Sequence, residues 1–92
     1  MIQSFSCKDT EALYATGKSR RFAAISDVAA RKLQMLTDAH ALEDLKSPPG
    51  NRLEALRGSR AGQHSVRVND QWRLCFEWRD GHAWNVEIVD YH

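Results

Sequence analysis

The residues able to do chemistry gather in the second half of the 92-residue chain. From Arg52 onward every basic residue is an arginine: Arg52, Arg57, Arg60, Arg67, Arg73 and Arg79. The lysines (Lys8, Lys18, Lys32 and Lys46) all come earlier. A guanidinium is a planar fork of donors that grips phosphate in a bidentate manner and stacks on bases. A coding bias toward arginine accounts for the same pattern. The sequence closes on Asp90-Tyr91-His92, three groups that can each take or give a proton. The net charge is only +1, so no long-range field draws in a polyanion and any anion site must be local. A terminal triplet can fray, but the strongly apolar strand before it argues for an anchored end.

The stretch Gln63–His92 positions most of these groups. Val66, Val68, Trp72, Leu74, Phe76, Trp84, Val86 and Ile88 are apolar and even-numbered, the period of strands with one dry face. A shared face requires paired positions to differ by an even number. Three-residue loops at Asn69-Asp70-Gln71 and Arg79-Asp80-Gly81, with Gly81 left-handed in a bulge, satisfy that rule. They pair Val66 with Leu74, Phe76 with Trp84, Leu74 with Val86 and Trp72 with Ile88. On the polar face this register sets Arg67 beside Arg73, an unfavourable cross-strand pair unless an anion or a carboxylate lies between them. Glu87 falls opposite Arg73, so an Arg73–Glu87 ion pair on a wet face explains the residues as well as an anion site does. Asp90 and His92 fall on the apolar side and Tyr91 on the polar side.

The rest of the chain supplies the support. Met1–Phe5 alternates as a first strand. Asp9 or Thr10 can cap a short helix that Gly17 ends. Lys18–Arg21 reads as a solvated basic loop. Ile25, Val28, Ala29, Leu33, Leu36 and Ala39 form the apolar stripe of a second helix over about 23–39, with a further turn at 41–45. The prolines and glycine of 46–51 break any helix, and Arg52–Arg57 enters the sheet. The length and the composition, 42% hydrophobic and 27% charged, suit one soluble domain over residues 1–92. Cys7 and Cys75 form no CxxC pair and no secretory signal precedes them, so free thiols in the cytoplasm are expected. No apolar run reaches membrane-spanning length, and the scattered histidines offer no zinc pattern.

Leu53-x-x-Leu56-Arg57-Gly58-x-Arg60-x-Gly62, then Ser65-Val66-x-Val68-x-x-x-Trp72-Arg73-Leu74-x-Phe76, and the final Asp90-Tyr91-His92 together resemble the HigB/GraT branch of the RelE/ParE toxin superfamily. The opening Met1-Ile2-x-Ser4-Phe5 is similar too. The resemblance implies an α+β fold, with two N-terminal helices packed on a mostly antiparallel sheet that ends in a three-stranded meander. It implies a toxin that cleaves messenger RNA on the ribosome without metal or other cofactor, and that is held inactive by a helix-turn-helix antitoxin of the HigA/GraA kind. Operator DNA would be reached only through that antitoxin. Carried over by residue, Arg73 is matched to the scissile phosphate, Asp90, Tyr91 and His92 to the catalytic end, and Arg57 to a further phosphate contact. Arg67 joins them as a phosphate-binding candidate from the register. Glu54 departs from the pattern, since well-studied HigB members carry histidine there; a glutamate can act as a base but cannot supply an imidazolium's charge. A ParE-like inhibitor of DNA gyrase shares the scaffold, and a non-catalytic RNA- or protein-binding module could use the same arginines.

Overall fold

The computed structural model describes residues 1–90. Helix α1 runs Lys8–Thr16 and ends where Gly17, at φ +76°, donates its N–H to the Leu13 carbonyl (2.8 Å). Only glycine adopts that left-handed turn without steric cost. The start lies two residues earlier than a cap at Asp9 would put it, and three earlier than one at Thr10. Thr10 is instead fully buried, and its hydroxyl accepts the Ile88 N–H (3.0 Å), tying α1 to the sheet.

Helix α2, Ser26–Asp38, follows a 3-10 turn at Ala23–Ile25. Its stripe is the expected one: Ala29, Leu33 and Leu36 are buried against the sheet, and Ile25 and Val28 flank them. Each fully buried leucine contributes about 1.5–3 kcal/mol, so this stripe is the main hold of α2 on the sheet. A 3-10 turn, Leu42–Lys46, then buries Leu45. The Asp44 carboxylate accepts the backbone N–H groups of His40 (3.0 Å) and Ala41 (3.1 Å) at its start, which hold its pKa below the ordinary carboxylate range.

Four antiparallel strands form one sheet in chain order: β1 (Glu54–Ala55), β2 (Gln63–Arg67), β3 (Trp72–Arg79) and β4 (His82–Asp90). The N-terminal segment makes two parallel bridges to the outer edge of β4, Ile2 to Ala83 and Phe5 to Val86, rather than a full strand. The helices and the apolar core share one face of the sheet, where Leu74, Phe76, Val86 and Ile88 are sealed from solvent. The opposite face carries Ser65 and Arg67 of β2, Arg73 and Cys75 of β3 and Glu87 of β4.

Pairing of β2 with β3 follows the expected register, with Val66 opposite Leu74 and Arg67 opposite Arg73. Pairing of β3 with β4 does not. Arg79 pairs with His82, leaving a two-residue Asp80-Gly81 turn with both φ angles positive, +54° and +78°. That is the hairpin turn whose twist suits flanking strands. It pairs odd with even positions, so Glu77 meets Trp84 and Trp78 meets Ala83. Parity is restored by an extra residue in β4 around Asn85, at φ +53°, beyond which Cys75 meets Glu87 and Leu74 meets Ile88. Asn85 is fastened there by donating its backbone N–H to Ser4 Oγ (2.8 Å) and its side-chain amide to Glu77 (2.7 Å). Two expectations fall with the register. Ala83, not Trp84, occupies the core, and Trp84 lies under the Arg79 guanidinium at 4.6 Å. Glu87 stands opposite Cys75, not Arg73.

Candidate active site

Arg73 lies at the centre of the polar face and is 9% exposed, an unusual depth for an arginine. Its guanidinium is fixed by local acceptors: Nε donates to Ser65 Oγ (2.8 Å), and Nη2 donates to the Arg52 carbonyl (2.7 Å) and, at 3.4 Å, to the Ser65 carbonyl. Ser65 reaches it because β2 runs antiparallel to β3 and carries Ser65 and Arg67 on the Arg73 face. Arg52 reaches it because its backbone is left-handed (φ +46°, ψ +56°), turning the chain before β1.

Above Arg73 opens a cleft of about 240 Å³ lined by Arg52, Glu54, Arg67, Asn69, Asp70 and Arg73. Three guanidinium groups and two carboxylates leave it net positive. Arg67 bonds the Asp70 carboxylate, whose side chain is fully exposed. Such a surface pair is worth about 0–1 kcal/mol, so an incoming phosphate can replace Asp70 at little cost. The carboxylate expected to relieve Arg73, Glu87, instead takes the Arg60 guanidinium at 2.8 Å, and the same Arg60 nitrogen donates to Gln63 at 3.0 Å.

The structure thus brings Arg73, Arg67 and Glu54 to one cleft. Arg57 is exposed just beyond β1 and lines a neighbouring wider hollow of about 610 Å³ with Glu54, Ala55 and Leu56. Glu54 borders both. Asp90 is turned the other way. It pairs with Trp72, whose ring packs edge-on against Phe22 in the core at 5.4 Å, and its carboxylate accepts the Gln71 amide (3.1 Å). Tyr91 and His92 lie outside the described residues. Sequence reasoning missed Ser65, Asn69 and the Arg52 carbonyl. For Ser65 a signal existed: it is a small hydroxyl on the same odd-numbered face as Arg67 and Arg73. A backbone carbonyl leaves no side-chain signal at all.

Residues 3–92 match the HigB-like toxin family, the RelE-like toxins of the type II toxin–antitoxin system HigB. The chain belongs to this family. It is 44% identical to Toxin HigB-1 of Vibrio cholerae over 90 residues, covering 96% of this chain and 95% of the relative. It is 29% identical to Endoribonuclease HigB of Proteus vulgaris over 98 residues, spanning both chains fully. Solved structures share the fold at low identity. A YafQ variant from E. coli superposes with a TM-score of 0.64 at 13% identity, over 98% of this chain and 93% of that one. The YoeB–YefM complex from Staphylococcus aureus gives 0.61 at 14% identity, over 100% and 98%. The α+β architecture expected from the sequence is therefore that of RelE-like toxins. The molecule is a toxin whose partner is an antitoxin. No helix among the described residues is long and apolar enough to cross a membrane.

Proposed function

We propose that this toxin is a ribosome-dependent endoribonuclease that cleaves messenger RNA by attack of a 2′-hydroxyl on the adjacent phosphorus. The observation that carries the reading is Arg73, a buried guanidinium oriented by Ser65 and the Arg52 carbonyl beneath a cationic cleft of about 240 Å³. A donor already fixed in direction stabilises developing negative charge without reorganising during the reaction. Arg73 neutralises the pentacoordinate phosphorane, Arg67 takes a neighbouring phosphate oxygen in place of Asp70, and Arg57 steadies the next phosphate from the adjoining hollow. RNA brings its own nucleophile, so the remaining work is to remove the 2′-hydroxyl proton and protonate the departing 5′-oxygen. We assign these transfers to Tyr91, His92 and Glu54. A neighbouring positive charge would favour the ionised form of a phenol, which is how a group of pKa about 10 becomes a usable base. Asp90, bonded to Gln71 on the other face, anchors the strand end that carries them. The ribosome supplies alignment of the message. The family names and the Endoribonuclease HigB relative support the reading. The antitoxin carries a helix-turn-helix domain, through which the pair reaches operator DNA.

The test is a cell-free translation reaction with mapping of new messenger 5′ ends. Wild type yields discrete cuts that need the ribosome, and Arg73→Ala and Tyr91→Phe lose them. If both variants cut as wild type does, the assignment is wrong and the arginines serve binding alone. Purified wild type leaves gyrase supercoiling unchanged; inhibition there would point to a ParE-like target.

A further inference from the structure

Asn51 is wholly buried, yet it is polar and precedes Arg52, whose carbonyl accepts from Arg73 Nη2. Every polar atom of its amide is engaged. Nδ2 donates to the Leu45 carbonyl (3.1 Å) and the Ser47 carbonyl (3.3 Å) and touches Met35 Sδ (3.0 Å), while Oδ1 accepts from the Lys32 ammonium. These partners come from α2 and from the middle of the segment linking α2 to β1. Its backbone N–H closes a turn onto the Pro48 carbonyl (2.9 Å). Asn51 therefore nails the 47–52 segment to α2. Arg52 follows at φ +46°, a left-handed conformation that an arginine keeps only when its surroundings impose it. That conformation aims the Arg52 carbonyl at Arg73 Nη2.

We propose that Asn51, locked by Lys32, is a positioning residue for the phosphate-binding arginine: it fixes the Arg52 carbonyl, and that carbonyl fixes the direction of the Arg73 guanidinium. The proposal rests on the endoribonuclease reading for its consequence, but its geometry stands apart from it. Partial burial, and then the like charges of Arg31 and Arg67, lower the pKa of Lys32. A cation accepts such a site when a strong acceptor, here Asn51 Oδ1, compensates.

The experiment pairs a double-mutant cycle with a measurement that needs no activity. Asn51→Ala and Lys32→Met are each made in wild-type and Arg73→Ala backgrounds, and single-turnover cleavage on programmed ribosomes is measured well below each melting point. Misdirecting a reactive contact by an ångström costs roughly 10- to 100-fold, so Asn51→Ala lowers the saturated rate by about that factor with half-saturation nearly unchanged. Lys32→Met, which keeps the aliphatic stem, gives a smaller loss in the same parameter. In the Arg73→Ala background neither change lowers the rate further. Equal losses in both backgrounds would show that Asn51 merely stabilises the fold and would overturn the proposal. The Arg73 Nη–H resonance is followed in parallel by NMR. In Lys32→Met, and in Asn51→Ala if it folds, its solvent exchange accelerates. An unchanged exchange rate overturns the proposal even if the chain has no nuclease activity, whereas an inactive wild type with accelerated exchange rejects the nuclease reading and keeps the positioning.

Discussion

Arg73→Lys separates charge from geometry at the centre of the cleft. Lysine keeps the positive charge but places a methylene where Nε donates to Ser65 Oγ, a bond of 2.8 Å to a residue with no solvent exposure. That hydroxyl loses its partner with no water to replace it, a cost of about 1–3 kcal/mol. In a domain of this size each kcal/mol lowers Tm by roughly 4–8 °C. An ammonium also cannot hold the Arg52 carbonyl and present a second, parallel donor to a phosphate. Losing one charge-assisted hydrogen bond in the transition state, about 1.5–3 kcal/mol, slows cleavage roughly 10- to 150-fold. The assay is 5′-end mapping of messenger in a cell-free translation reaction, run below the variant's Tm so that the unfolded fraction contributes nothing. Cleavage within about twofold of wild type, beside the expected fall in Tm, would refute the fork as the feature that matters and leave charge alone.

Ser65→Ala leaves the Arg73 Nε donor without its hydroxyl acceptor and lowers unfolding free energy by about 1.5–3 kcal/mol, read by urea titration, while Ser65→Thr stays near wild type. Gly81→Ala costs about 1–2 kcal/mol through its left-handed φ of +78°; the added Cβ meets the His40 carbonyl at an ordinary 3.7 Å, so the loss is conformational and appears in the urea midpoint. Burial pushes the Cys75 thiol from its ordinary 9.0 up to about 11. The unfolded chain therefore releases that proton first, and Tm falls as pH rises from 9 toward 11; Cys75→Ala flattens this alkaline slope. Iodoacetamide at pH 8 labels Cys7, which is partly exposed, before Cys75.

The arginine pair was legible because parity alone determines it. Apolar even positions on β2 and β3 force Arg67 and Arg73 onto the other face together, whatever the rest of the fold does. The far hairpin was not legible by that reasoning, because two departures add to an even shift that parity cannot detect. The Asp80-Gly81 turn shifts the pairing by one, and the extra residue at Asn85 shifts it by one more in the same direction, so parity returns in the second half of β4 while every partner there is displaced by two. An asparagine, tolerant of left-handed backbone, was the available sign. The misplacement of Glu87 follows directly, since two positions of slip moved it from Arg73 to Cys75 and within reach of Arg60. The surroundings of Arg73 were hidden for another reason: the Arg52 carbonyl and the buried Asn51 behind it depend on how a proline-rich segment folds, which no periodicity describes.

The fastening of the N-terminal segment to β4 bears on when the toxin comes into being. Ser4 meets Asn85 across 81 residues of chain, and Thr10 receives the Ile88 N–H across 78. Contacts so distant along the chain form late, because the loop they close must be ordered first. During synthesis both helices emerge with their apolar stripes uncovered, and the strand that seals them appears after them. Until then the core on which β3 rests is open to water, and the cleft has no rigid floor. A ribosome making this chain is therefore exposed to a finished cleft only once β4 has left it.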